Sequence, residues 1–211
     1  MKILMILIVL FVIAIVSVLI GVAQIEKQQA RANQKILKDQ SSERGAQNKV
    51  VVVVFSRSGN TAVLGRDIAT RHGGNFIRLQ AEDYEPGLVG LSRALMDARG
   101  NVATIIPKTV DLSPYDTIYL GSPIWLYSPS PPIWEFVNNN SFTGKRVVLF
   151  NSFNSKFEQR FINEFEQLVK DKGAVTFEHR FVKRGRMLDQ ISTEELLERY
   201  KSTYDSNEQR K

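Results

Sequence analysis

Val50-Val51-Val52-Val53-Val54-Phe55, followed at once by Ser56-Arg57-Ser58-Gly59-Asn60-Thr61, decides how this chain is read. The first six residues are apolar on both faces and rich in β-branched side chains, the pattern of a strand buried inside a sheet. The next six are small and polar, and a helical pattern starts at Ala62. A strand's carboxyl end therefore meets a helix's amino end, where free backbone N–H groups and the helix dipole favour an anion. Ser56, Ser58, Asn60 and Thr61 add side-chain donors, and Gly59 permits close backbone approach. The loop reads as a phosphate cradle, with an ordinary strand–turn–helix junction carrying polar caps as the alternative. It has neither the Gly-Lys-Ser/Thr ending of a nucleotide P-loop nor a Gly-x-Gly-x-x-Gly dinucleotide pattern.

The chain has 211 residues, 43% hydrophobic and 24% charged, which suits one globular domain with a sizeable core plus an appendage. It has no cysteine, which excludes disulfides, thiolate catalysis and cysteine-ligated metal centres. The formal net charge of +6 permits attraction to anionic lipid, nucleic acid or an acidic partner. No dense Arg/Lys tract with interleaved aromatics occurs, so no nucleic-acid partner is expected.

The appendage comes first. Residues 3–23 are almost unbroken in their apolar character, with only Ser17 and Gly21 interrupting. A helix of that length spans a bilayer core of about 30 Å. The run exceeds the roughly 7–15 apolar residues of a cleavable signal peptide, although Gly21-Val22-Ala23 has the small-x-small character of a cleavage site. Residues 1–23 are therefore expected to form an uncleaved transmembrane anchor. Lys27, Arg31, Lys35, Lys38 and Arg44 follow it and only Lys2 precedes it, so the positive-inside rule places the domain in the cytoplasm. Residues 24–47 are polar and read as a stalk, helical up to Asp39 and loose over 41–47, holding the domain off the membrane.

The domain itself is expected over 48–204, with a frayed tail at 205–211. Strands are expected at 50–55, 75–79, 117–120, 146–150 and 175–182. Helices are expected at 60–72, 88–99, 131–138, 157–171 and from Ser192 to about Tyr204. Leu88, Leu91, Leu95 and Met96 share one face of the second of these helices. Phe161, Phe165, Leu168 and Val169 point inward from the fourth, and Ser192-Thr193-Glu194-Glu195 is a capping box. The alternation implies an α/β fold, a doubly wound five-stranded parallel sheet of order 2-1-3-4-5 preceded by one transmembrane helix. In such a sheet ligands bind at the carboxyl ends of the strands, beside the switch between the first and third.

The loop after the third strand fits that expectation. Gly121-Ser122-Pro123-Ile124-Trp125-Leu126-Tyr127 brings two aromatics on a proline-stiffened segment that continues through Pro132. A flat aromatic ligand needs stacking surfaces and backbone polar groups of this kind. Trp134, in the following helix, reads as core.

Together the two loops resemble the flavodoxin family. Ser56-Arg57-Ser58-Gly59-Asn60-Thr61 is similar to its FMN-phosphate loop, and Tyr119 to Trp125 with the prolines up to Pro132 is similar to its first isoalloxazine loop. The resemblance covers roughly residues 49–204 and implies FMN as cofactor. It implies that Ser56, Ser58, Asn60 and Thr61 bind the phosphate, with Arg57 nearby and Gly59 making the turn, and that Ser122, Pro123, Ile124, Trp125 and Tyr127 line the ring. The chain departs from the family after the fourth strand. Where a glycine-rich loop contacts the flavin's pyrimidine side, it has Asn151, Ser152, Phe153, Asn154, Ser155 and Lys156. Asn151 and Ser152 can still donate to ring oxygens, while Phe153 can narrow the site. The chain is also basic and anchored, unlike the small acidic flavodoxins. The segment Phe181 to Arg186 resembles members of the wider flavodoxin-like group, and Lys183, Arg184 and Arg186 either rim the pocket or form a solvated basic turn.

These features point to a membrane-anchored FMN protein that transfers electrons or hydride equivalents, as a carrier or as an NAD(P)H- or quinone-type reductase. A redox partner protein, NAD(P)H or a quinone would be its partner. The alternative is a flavodoxin-like interaction module that has lost tight flavin binding. No side chain is required as a nucleophile or general base, and His72 and His179 have no catalytic companions in the sequence.

Overall fold

The apolar run forms strand β1, Val50–Phe55, which pairs in parallel on both sides. The computed structural model describes residues 2–39, 49–186 and 189–208. In chain order the helices are α1 (Lys2–Asp39), α2 (Asn60–Arg71), α3 (Leu88–Asp97), α4 (Pro131–Asn138), α5 (Gln159–Asp171) and α6 (Thr193–Glu208). After β1 the strands are β2 (Asn75–Leu79), β3 (Thr117–Trp125), β4 (Ser128–Pro129), β5 (Arg146–Phe153) and β6 (Thr176–Lys183).

The parallel sheet has the order β2-β1-β3-β5-β6, with β4 attached to β3 as an antiparallel hairpin. The doubly wound fold stands as expected, but there are six strands and not five. What reads in sequence as an irregular aromatic loop is partly ladder: Ile124 pairs with Pro129 and Trp125 with Ser128. Leu126 and Tyr127, both at positive φ (39° and 78°), make the two-residue turn between them. Positive φ at both central residues matches the twist of the flanking strands.

Alternate side chains of β1 feed the two faces of the core. Val51, Val53 and Phe55 join Ile118, Leu120, Val147 and Leu149 beneath α4 and α5. Val52 and Val54 join Val148 and Phe150 beneath α2 and α6, where Leu64, Ile68, Leu196 and Tyr200 pack. Gly121 in β3 leaves room for Phe150 and Val54, whose side chains occupy the space that a Cβ there would need.

Several boundaries move. β5 continues through Asn151, Ser152 and Phe153, which pair with β6 and, for the first two, with β3. The apolar run breaks after Phe150, yet the ladder continues because Asn151 and Ser152 find hydrogen-bond partners inside the protein. In α5, Ile162 is buried together with Phe165 and Val169, whereas Phe161 is only half-buried. In α3 most of the expected apolar face is turned outward: Gly90 and Ala94 are buried, Leu91 is half-buried, and Leu88, Leu95 and Met96 are exposed. The small residues win because Gly90 packs directly on the backbone of Glu85, which a larger side chain would forbid. One half of the expected capping box is formed, with the Glu195 N–H donating to Ser192 Oγ at 3.1 Å, while the Glu195 carboxylate pairs with Arg199. α6 runs four residues past Tyr204. The loose stretch at 41–47 and the tail at 209–211 lie outside the described residues.

Gly121→Ala should lower the unfolding free energy by about 1–3 kcal/mol through overpacking. Denaturant titration should show part of that loss restored by Phe150→Leu, since the two changes share one space.

Candidate functional site

The site is built where β1 ends and α2 begins. Gly59 adopts φ 85° and acts as the N-cap of α2 without a side-chain cap. Ser56 Oγ accepts the Thr61 N–H at 3.2 Å, which closes the loop on itself. The backbone N–H groups of Ser58, Gly59 and Asn60 have no acceptor among the described residues. Three N–H groups without acceptors at a helix amino end are suited to an anion. Thr61 Oγ1 lies 2.8 Å from Ser152 Oγ, so the first loop and the end of β5 are directly joined.

Arg57 faces away from those donors. Its guanidinium donates to the carbonyls of Tyr84 (3.1 Å), Glu85 (3.3 Å) and Gly87 (2.8 Å) and to the carboxylate of Glu26 in α1. Burial pulls the Arg57 guanidinium down from its ordinary value and pushes the Glu26 carboxyl up; their mutual attraction opposes both shifts. Such a pair is costly to half-remove, since the survivor is a buried, uncompensated charge.

Helix α1 lies across this end of the sheet. Leu37 packs with the cluster beneath α2, and Ile20 and Ala23 line a cavity shared with α3. Between them Asn33, only 3% exposed, donates from Nδ2 to the Ser58 carbonyl (2.8 Å) and to Asn60 Oδ1 (2.6 Å). A Cβ on Gly59 would come within 2.6 Å of Asn33 Cβ, so the helix sits hard against the turn. The segment read as a stalk is thus packed on the domain. Glu26 and Asn33 are site neighbours that the sequence reading missed. The signal was present as a 3-4-3-4 spacing of Ala23, Glu26, Ala30, Asn33 and Leu37, masked because two of the five are polar.

On the other side of the site, the hairpin is held by Ser122 and Ser130. The Ser122 hydroxyl lies 2.9 Å from that of Ser130 and also accepts the Ser130 N–H at 2.9 Å. Asn151 Nδ2 donates to the Ser122 carbonyl at 2.7 Å, and Asn151 Oδ1 faces His179 Nε2 at 2.8 Å. Asn151 therefore has both ends of its amide engaged by protein groups. Phe153 is buried against Phe157 and Phe181.

The two aromatics of the hairpin part company. Trp125 is half-buried and meets Phe55 and Tyr84 edge-on, at centroid distances of 5.6 and 5.2 Å. Tyr127 lies beneath Lys156, whose Nζ is 5.1 Å from the ring centre. It borders a cavity of about 480 Å³ with Asn154, Ser155, Lys183 and Arg186. Ile124 and Pro123 are half-buried in the ladder between them. Arg184 does not line this cavity; it is 7% exposed, with Nε and Nη1 unpartnered among the described residues. Trp134 is core, donating to the Pro129 carbonyl and packing on Phe165.

With this geometry in view, residues 49–203 match the family model described as Flavodoxin. The chain belongs to the flavodoxin family. Among solved structures, a protein from Bacteroides uniformis ATCC 8492, provisionally described as a flavoprotein, is 25% identical, with a TM-score of 0.56 over 73% of this chain and 98% of its own. A second such protein, from Bacteroides eggerthii DSM 20697, is 19% identical with a TM-score of 0.54, covering 74% of this chain and 98% of its own. A flavoprotein from Lactobacillus acidophilus NCFM, solved in complex with FMN, is 18% identical with a TM-score of 0.50, covering 63% of this chain and 93% of its own. The last two are likenesses of fold. No curated protein matches the sequence.

Two outcomes are expected for this flavodoxin-family site. Glu26→Ala should destabilise the full-length protein by about 3–5 kcal/mol, whereas Lys27→Ala, at an exposed position one residue on, should stay within about 0.5 kcal/mol; thermal or denaturant unfolding in detergent reads both. His179 gives a pH dependence. Burial holds its imidazole down to about 4, against an ordinary value of 6.5. Below pH 6.5 the unfolded chain takes up the proton first, so stability is full above that pH and is lost as pH falls towards 4. The loss should be on the order of 2–3 kcal/mol, and His179→Gln, which keeps a donor to Asn151, should flatten the profile.

Proposed function

We propose that this protein binds FMN at the carboxyl end of its sheet and passes electrons or hydride equivalents between a reduced donor and an acceptor at a membrane. The observation that carries this reading is the set of Ser58, Gly59 and Asn60 N–H groups that have no acceptor among the described residues, at the amino end of α2 beside the aromatic hairpin. A dianionic phosphate monoester supplies the acceptors those three donors lack. Ser56, Ser58, Asn60 and Thr61 would hold it by hydroxyl, amide and backbone groups. Arg57 would act at one remove, by fixing the loop to residues 84–87. Ser122, Pro123, Ile124, Trp125 and Tyr127, with Asn151, Ser152 and Phe153 behind them, would form the wall for a flat ring. FMN, once bound, supplies one- and two-electron transfer, while the protein binds, orients and shields it.

The location is part of the proposal. α1 is long and apolar enough to cross a membrane, and its side chains over residues 3–20 are almost all exposed. We read residues 3–23 as a single span with the domain on the cytoplasmic side, from the basic residues that follow it. A redox protein, NAD(P)H or a membrane quinone would then be the partner in exchange.

One observation favours a second reading, an interaction module without flavin. Asn33 already engages the Ser58 carbonyl and the Asn60 side chain, and the Asn151 amide is fully used inside the protein. Titration of the full chain in detergent with FMN separates the two. The first reading expects quenched flavin fluorescence and a Trp125→Ala variant with affinity reduced about tenfold, or about 1.4 kcal/mol. Undiminished flavin fluorescence throughout the titration would establish the second. Oxidation of NAD(P)H by the loaded protein, stimulated by a quinone, would mark a reductase; its absence would mark a carrier.

A further inference from the structure

Helix α3 exposes apolar side chains that the fold leaves uncovered. Val89 and Met96 are each 74% exposed, and Leu88 and Leu95 are exposed over about half of their surface. They do not stand alone on the surface. The amino end of α3 meets α1 at the point where the apolar run of α1 ends. Ile20, Ala23 and Lys27 of α1 share a cavity of about 760 Å³ with Leu88, Val89 and Arg93. Asn33, at the phosphate loop, is ten residues further on, or about 15 Å along the helix axis. The amino end of α3 thus lies beside the end of the span.

We infer that α3 is a second membrane contact, with Leu88, Val89, Leu95 and Met96 lying at the headgroup–acyl boundary of the bilayer crossed by residues 3–23. This rests on the reading of residues 3–23 as a span. Three observations select lipid as the occupant. Leu88 and Val89 line one cavity with Ile20, where the apolar run of α1 ends, and the side chains of residues 3–20 are uncovered among the described residues. α1 is an unbroken helix through the junction, so the face is held at one height relative to the span. Exposed Lys27 and Arg31 on α1 and Arg99 after α3 supply cations for lipid phosphates, beside Glu82, Asp83 and Glu85, of which Asp83 is paired with Arg93. A short amphipathic helix binds such a boundary weakly alone, but here the neighbouring span supplies the anchorage. The consequence is that the Tyr84–Gly87 segment, which Arg57 ties to the phosphate loop, faces the lipid surface.

The absence of cysteine allows unique labelling. Leu10→Cys, Val89→Cys, Met96→Cys and Val175→Cys in the full chain would each carry an environment-sensitive fluorophore in phosphatidylcholine–phosphatidylglycerol nanodiscs. Val175 is a control, 69% exposed on the strand-start side of the domain, just before β6. The expected result is blue-shifted emission and quenching by doxyl-labelled lipid at 10, 89 and 96, several-fold above that at 175. Quenching at 10 with 89 and 96 equal to 175 would overturn the α3 contact and leave the span standing. No quenching at 10 would remove both. Blue shift at 89 and 96 without lipid quenching would assign the face to a protein partner, and would equally overturn the inference.

Discussion

The Arg57 guanidinium is the constraint on which the arrangement of the site depends. One buried cation gathers a carboxylate from α1 and three carbonyls from residues 84–87. Its backbone belongs to the loop that presents the unsatisfied N–H groups. Three pieces of chain far apart in sequence are thereby located against one another by a single planar group. Only Arg supplies enough donors in fixed directions to do this, since the three donors of a Lys fall short of the four acceptors. Desolvation makes the arrangement expensive as well as rigid, and the neighbouring packing of Phe55, Tyr84 and Trp125 offsets that cost with buried aromatic surface.

A second polar line runs through the other half of the site, from Ser130 through Ser122 and Asn151 to His179. It replaces apolar packing at the end of the central strands with directional bonds. That fixes the hairpin on β3 relative to β5 while leaving the ladder intact. The glycines expected from the family resemblance after β5 are absent, and this chain instead extends the strand and covers it with Phe153, Phe157 and Phe181. Ring recognition on this side would rely on side chains and on the short Asn154–Lys156 turn.

The sequence alone revealed the strand–loop–helix at Val50–Thr61 because hydrophobic continuity, small polar residues and helical period change abruptly at known points. The parallel order followed from alternation of strands and helices. Less was legible where partners decide structure. β5 extends through Asn151 because Ser122 and His179 complete its hydrogen bonds, a fact with no local signature. α3 reads as amphipathic in the wrong sense, since period reveals an apolar stripe but not which side the protein covers; Gly90 and Ala94 are the close-packing side. The docking of α1 was hidden for a related reason. Glu26 and Asn33 look like solvated stalk residues until Arg57 and the loop carbonyls are placed beside them.

The unbroken course of α1 has a further consequence. No glycine or proline lies between Val22 and Asp39, so the apolar part of α1 and the segment packed on the domain form one continuous helix without a break. With its apolar end in a bilayer, the domain would diffuse in two dimensions at fixed height and would present one face at every encounter. A partner confined to the same sheet of lipid would then meet it at a raised effective concentration. Exchange could be efficient with only a modest contact area, because the search over orientation would already have been made by the helix.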